Sequence, residues 1–201
     1  MVVADILQKM NQSHFGIQPI GFIDDNVLLV NKKPMGLDVF GTDLEDVRHE
    51  FNHVIVAIGD NQTRRKVFIQ LGTKGARFAV AVHPSAVIEY NVRLGEGTMV
   101  CAGVVINHAS NIGSDVILNT ACTVDHHNAI GDHVHIGPGV NLGGEVQIGD
   151  GVFIGIGASV LPGCKIGAWS IIGGGAVVTC DIPERTTWAG VPAKPLFVGS
   201  V

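Results

Sequence analysis

The sequence predicts a small α/β domain over residues 1–80, a three-sided coil of short parallel strands over 81–180, and a tail over 181–201. Two observations carry this reading. The first is a period of six. Counting in sixes from Val82 gives Ile88, Leu94, Val100, Ile106, Ile112, Leu118, Val124, Ile130, Ile136, Leu142, Ile148, Ile154, Val160, Ile166, Ile172 and Val178, seventeen aliphatic positions without a slip. No helix and no alternating strand keeps that register. A coil that turns a corner every six residues does, with three hexads per turn, an aliphatic side chain inward on each face, and turns about 4.8 Å apart. The second observation is the alternation of helix-like and strand-like segments ahead of the coil, which implies a parallel α/β arrangement.

Taken in order, Val2, Val3, Ile6, Leu7 and Met10 have helical spacing, and IQPIGFIDD reads as a strand ending in acids. Leu44, Val47 and Phe51 suggest a second helix, HVIVAIG a buried strand, TRRKVFIQLG a third helix closed by Gly72, and FAVAV another strand. In the coil, the place two before each inward aliphatic is small or β-branched, as at Ala86, Val92, Thr98, Ser110, Cys122, Val134, Ala158 and Ala176. The place just after is often Gly or Asn: Gly95, Asn107, Gly113, Asn119, Gly131, Gly137, Gly143, Gly149, Gly155 and Gly167. Those residues tolerate positive φ and are expected at the corners. Prolines in DIPERTTWAGVPAKPLF stop the regular coil.

Composition narrows the function. A net charge of −5 and the lack of a long basic run argue against nucleic acid as the main partner. The four cysteines form no CxxC pair, so reduced thiols in a cytosolic protein are the simpler reading. No apolar run reaches the roughly 18 residues needed to span a bilayer, and no signal core is present.

The stretch VDHHNAIGDHVHIG places His126, His127, His133 and His135 within ten residues. On the coil His126 lies near a corner, above His108 one turn earlier, while His135 lies on a different face. His127 and His133 occupy equivalent places on successive faces, so one chain does not gather the four rings around one ion. Proton transfer suits them better, because an imidazole takes up a proton near neutral pH. Asp125 and Glu145 are candidate orienting acids, and His108 a candidate to share the proton.

The hexads resemble those of hexapeptide-repeat acyltransferases. That resemblance implies a left-handed parallel β-helix, a homotrimer, and acyl-CoA in the groove between neighbouring coils. The order of VVADIL helix, GFIDD strand, VAIGDN strand and coil is similar to the sialic-acid O-acetyltransferases and bacterial sugar N-acetyltransferases. There an α/β domain holds a nucleotide-linked sugar, and a strand with a GGHG loop precedes the VVADIL-like helix. This sequence begins inside that helix, so its Rossmann-like unit is expected to be incomplete, its first strand and glycine loop lost. The resemblance implies substrate contacts at Asp24, Asp25, Gly59, Asp60 and Asn61. Arg64, Arg65 and Lys66 are within reach of phosphate but read more simply as a solvated helix start.

In that family the histidine segment reads approximately VDHDxxIGDxxHI, its first histidine the general base. The role maps onto His126. The acid expected next is His127 here, a departure that leaves open which group orients the base, with Asp125 beside it. His135 matches the later histidine, near the acetyl group or the thioester. A backbone N–H of the glycine-rich corners, such as Gly143 or Gly144, is a candidate oxyanion donor, and small residues such as Gly155 and Gly173 would let acetyl-CoA lie against the coil. The resemblance implies that the tail residues Pro192, Ala193 and Lys194 border its nucleotide. His83 and His133 read as structural or solvated. The leading expectation is a cytoplasmic acetyl-CoA-dependent transferase acting on an amino or hydroxyl group of a nucleotide-linked sugar for surface glycan. Two alternatives stay open: a trimeric scaffold or sugar-nucleotide-binding protein without catalysis, and a metal-dependent hydratase.

Overall fold

The computed structural model describes residues 1–13, 16–29, 32–41 and 51–196. Helix α1 (Val2–Gln12) buries Val3, Ile6 and Met10, one stripe of a helix, against the first rung of the coil. Strands β1 (Gly21–Ile23) and β2 (Asp38–Phe40) pair in parallel, Gly21 opposite Asp38. Helix α2 (Asn61–Thr73) begins at Asp60, whose carboxylate accepts the Thr63 N–H at 2.8 Å, an N-cap that satisfies one orphan donor. It ends one residue past the predicted Gly72. Positions 44 and 47 of the remaining predicted helix lie outside the described residues, and Phe51 is irregular backbone.

Two predicted strands are shorter than expected. In HVIVAIG, among the described residues, only Val54 pairs, through one parallel bridge to Phe78. FAVAV splits: Phe78 bonds back to Val54, whereas Ala81–Val82 becomes the first rung of the coil.

From Ala81 the chain is a left-handed parallel β-helix of two-residue strands, each pairing with the strand eighteen residues on. The first face runs from Ala81–Val82 through His135–Ile136 to Ile171–Ile172 and continues into the tail strand Thr187–Ala189. The second runs from Val87–Ile88 through Thr123–Val124 to Val177–Val178. The third runs from Arg93–Leu94 through Ala129–Ile130 to Lys165–Ile166. Lys194–Pro195 folds back antiparallel on the tail strand. Inward aliphatics from Val100 onward are buried, each side chain worth about 1.5–3 kcal/mol of transfer. The first turn departs from the pattern: Ile88 remains 37% exposed, because no turn lies beneath it. Among the described residues no helix is long and apolar enough to cross a membrane.

The corners fall elsewhere than the sequence reading put them. None of the glycines or asparagines just after the aliphatics has positive φ. The left-handed residues sit two places further on, at Asn91, Gly97, Gly103, Ala109, Asp115, Ala121, His127, His133, Gly139, Glu145 and their successors. Glycine just after the aliphatic answers a steric demand instead. A Cβ on Gly113 would lie 2.6 Å from both the Gly131 carbonyl carbon and Asp132 Oδ1 in the next turn. A side chain there would hold the turns apart.

Candidate active site

Strand Thr123–Val124 leads into the corner that carries Asp125, His126 and His127. His127 takes the left-handed position, φ 57, that turns the second face into the third. The His126 and His127 ring centroids are 5.2 Å apart, their Nδ1 atoms 3.0 Å apart. His108, one turn below, stacks 5.8 Å from His126 and meets His127 edge-on at 5.0 Å. His127 and His108 are exposed and His126 half-buried, so the cluster opens to solvent.

Asp125 lies beside His126 without bonding its ring. Its Oδ1 accepts from Asn107 Nδ2 and from the His126 backbone N–H, each at 2.8 Å. The Asn107 bond, then the backbone bond, hold its carboxyl below the usual range. Glu145 is exposed one turn above and donates only its backbone N–H, to the His126 carbonyl. Among the described residues neither acid hydrogen-bonds the His126 ring; the ring's partner is His127.

Gly144 completes the corner. A Cβ there would lie 2.6 Å from His126 Cε1 and 2.7 Å from Nε2, so the imidazole rests against this backbone only because the residue is glycine. The two candidate oxyanion donors now separate. Gly143 N–H donates to Val160 O at 2.9 Å within the ladder, while Gly144 N–H has no partner among the described residues. Asn128, which sequence reasoning missed, holds both sides of the corner from inside. It is 1% exposed, and its Nδ2 donates to Asp125 O at 2.6 Å and to Gly143 O at 3.0 Å. Ser110 Oγ reinforces it, donating to Asp125 O at 2.8 Å. The available signal was an amide two places before Ile130, where the column is otherwise small or β-branched.

A second group lies on the first face. His135 Nδ1 donates to Gly59 O at 3.2 Å, and its Nε2 accepts from Asn119 Nδ2 at 3.2 Å. Burial, helped by the nearby Arg64 charge, pushes its pKa down, so this ring is neutral at physiological pH. Asn61 is buried and engaged, its Nδ2 donating to Gly151 O and Val152 O and its Oδ1 accepting from Arg64. Asp60 serves as the cap of α2.

Arg64 is not the solvated helix-start residue the sequence suggested. It is 0% exposed, with Nε 3.2 Å from Asp115 Oδ2, and Nη2 donates to His133 O at 2.7 Å. His133 Nδ1 donates to the same carboxylate oxygen at 2.8 Å. The buried face of α2 carries Asn61 and Arg64, and the coil's corner carbonyls meet Arg64 there. Arg65 instead lies over the Trp169 ring.

The predicted residues thus form separate groups within one chain: Asp125, His126, His127, Gly143 and Gly144 at one corner, and Gly59, Asp60, Asn61 and His135 at α2. Asp24 and Asp25 lie just past β1, where Asp24 Oδ1 accepts the Asn26 N–H. Gly155 and Gly173 stand at the end of the first face, where a Cβ would meet Gly174 N at 2.6 Å and the Ala189 methyl at 2.8 Å. Ala193 is buried and bonds Val177 O, with Pro192 and Lys194 exposed beside it. Among the described residues no group of three His, Cys, Asp or Glu is placed to hold a metal ion.

Comparison with known proteins gives the class: this α/β unit and left-handed β-helix are those of a hexapeptide-repeat acyltransferase. The PglD N-terminal domain family matches residues 1–71, and the bacterial transferase hexapeptide (six repeats) matches residues 145–180. GDP-perosamine N-acetyl transferase from Caulobacter crescentus, crystallised with CoA and GDP-perosamine, is 38% identical over 97% of this chain and 90% of its own, TM-score 0.89. The acetyltransferase domain of PglB from Neisseria gonorrhoeae, in complex with acetyl coenzyme A, is 35% identical over 97% and 93%, TM-score 0.89. WeeI from Acinetobacter baumannii is 28% identical over 96% and 93%, TM-score 0.84. No curated protein matches the chain. The chain belongs to the hexapeptide-repeat sugar acetyltransferases with a PglD-type N-terminal domain.

Proposed function

We propose that this protein transfers the acetyl group of acetyl-CoA to an amino group of a nucleotide-linked sugar, with His126 as general base. The observation that supports the reading is the His126 ring lying against Gly144, whose N–H has no partner among the described residues, so that a base and an oxyanion donor would share one corner. The acceptor amine attacks the thioester carbonyl as His126 Nε2 takes its proton. The tetrahedral oxyanion accepts from Gly144 N–H. Collapse breaks the C–S bond, and the CoA thiolate leaves with the proton held by His126. Asp125, whose carboxyl stays ionised, favours the transient imidazolium.

The relatives support this substrate class, since the Caulobacter enzyme is an N-acetyl transferase of a GDP-linked sugar and was crystallised with one histidine replaced by alanine. The reading includes a homotrimer, because the His126 corner and the His135 face point different ways in one chain. Neighbouring copies would face each other across the acetyl-CoA groove, with the neutral His135 near the thioester and Gly155, Gly173, Pro192, Ala193 and Lys194 along it. Asp24, Asp25, Gly59, Asp60 and Asn61 would border the sugar nucleotide through the groups they leave free. It also includes a cytosolic place in surface-glycan synthesis, where the thiols stay reduced. Turnover of acetyl-CoA against a panel of UDP- and GDP-linked amino sugars tests the proposal, with His126→Ala alongside. Transfer that falls about 10²–10⁴-fold in the variant supports it. CoA binding without turnover in the parent overturns it in favour of a binding protein.

A further inference from the structure

We infer that His127 is a positioning residue: its Nδ1 accepts the Nδ1–H of His126 and so fixes the tautomer that leaves His126 Nε2 free as the base. This rests on the reading of His126 as general base. Two ring nitrogens 3.0 Å apart need one donor and one acceptor, and a neutral imidazole carries one of each. If His127 donated, His126 would carry its proton on Nε2 and have no lone pair to offer a substrate.

The role of Nε2 decides between the two arrangements. That edge of the ring lies against Gly144. A base at Nε2 needs its lone pair there, so the proton of the neutral ring sits on Nδ1, and among the described residues His127 Nδ1 is the ring nitrogen at hydrogen-bond distance to receive it.

The groups around the two rings are His108 below, Asp125 beside His126, Glu145 one turn above His127, and the Gly144 backbone. A carboxylate in the place of His127 would also accept the Nδ1–H, and its charge would favour the imidazolium form of His126.

Nitrogen-15 NMR of the histidine-labelled full chain tests this in the parent, His127→Gly and His127→Glu, with the pH profile of kcat/KM in all three. His127→Gly keeps the left-handed corner, since Gly97, Gly103 and Gly139 hold the equivalent place. The expected parent spectrum shows His126 protonated on Nδ1; in His127→Gly it reverts to the Nε2–H form that free imidazole side chains prefer. There kcat falls about tenfold with the acceptor KM unchanged. In His127→Glu the Nδ1–H form persists and the acidic limb moves to higher pH. A parent with the His126 proton on Nε2, or a tautomer unchanged in His127→Gly, overturns the inference. The spectrum reads the pairing whether or not acetyl transfer occurs. Turnover with an Nε2–H parent sinks this inference alone, and Nδ1–H without turnover sinks the transferase reading instead.

Discussion

His127 and His133 stand six residues apart at equivalent corners, with φ 57 and 60, yet their surroundings are opposite. His127 is exposed, and among the described residues its ring meets the rings of His108 and His126. His133 is 9% exposed, bonded to Asp115, flanked by Phe68 and roofed by Arg64 from α2. The repeat dictates the backbone at both places. What lies over a corner dictates its chemistry: a helix turns one histidine into a structural link, and open solvent leaves the other free to serve a reaction.

Five experiments bear on that contrast. Arg64→Met removes the cation over the covered corner and leaves the buried Asp115 carboxylate with His133 alone. It should cost about 3–5 kcal/mol in urea unfolding, and a loss below about 1 kcal/mol would show that α2 seats itself without this link. Gly144→Ala acts on the open corner by driving a methyl into the His126 ring. Acetyl transfer should fall about 10²-fold while circular dichroism shows the coil intact; parental activity would mean the ring has another resting place. His133→Gly should destabilise by about 1–3 kcal/mol, because the Asp115 carboxylate loses a buried donor. His127→Gly, the same change at the open corner, should move stability by no more than about 1 kcal/mol and in the stabilising direction, since a left-handed residue loses its Cβ. Equal losses at the two corners would erase the distinction.

The smallest effect concerns His135. Burial lowers its folded-state pKa, so the unfolded chain binds the proton first. Its contribution to stability is present above the ordinary imidazole pKa of about 6.5 and is lost as pH falls through the folded value. Unfolding free energies measured between about pH 7 and pH 5 should show a slope that His135→Gln flattens.

The coil was legible because seventeen inward positions repeat a demand that every turn makes alike. The corners were misplaced by two residues because glycine answers two different demands, left-handed backbone and close approach, and composition does not separate them. Gly113 illustrates the second and Gly97 the first. His126 and its column partner His108 could be placed by counting eighteens. Its ring contact with His127 could not, because adjacent residues meet only where the left-handed corner folds one back toward the other. Arg64 was misread for a related reason: in TRRK nothing local tells which cation faces the coil. Asn128 was readable as an amide in a column otherwise small or β-branched, but only its carbonyl partners explain why it is there.

The helix α2 also limits how this protein can change length. Asn61 and Arg64 bond the carbonyls of Asp115, His133 and Gly151, one from each of three successive turns. A β-helix can lose or gain chain without scrambling its columns only in steps of eighteen residues, each step moving everything above it by about 4.8 Å. An eighteen-residue block added after residue 157 would lift the tail by one step and leave the three anchors in place, while carrying Trp169 away from Arg65. The same block removed between 116 and 151 would take away one of the anchors. The shaft is therefore extensible at its tail end and locked where the helix bolts it.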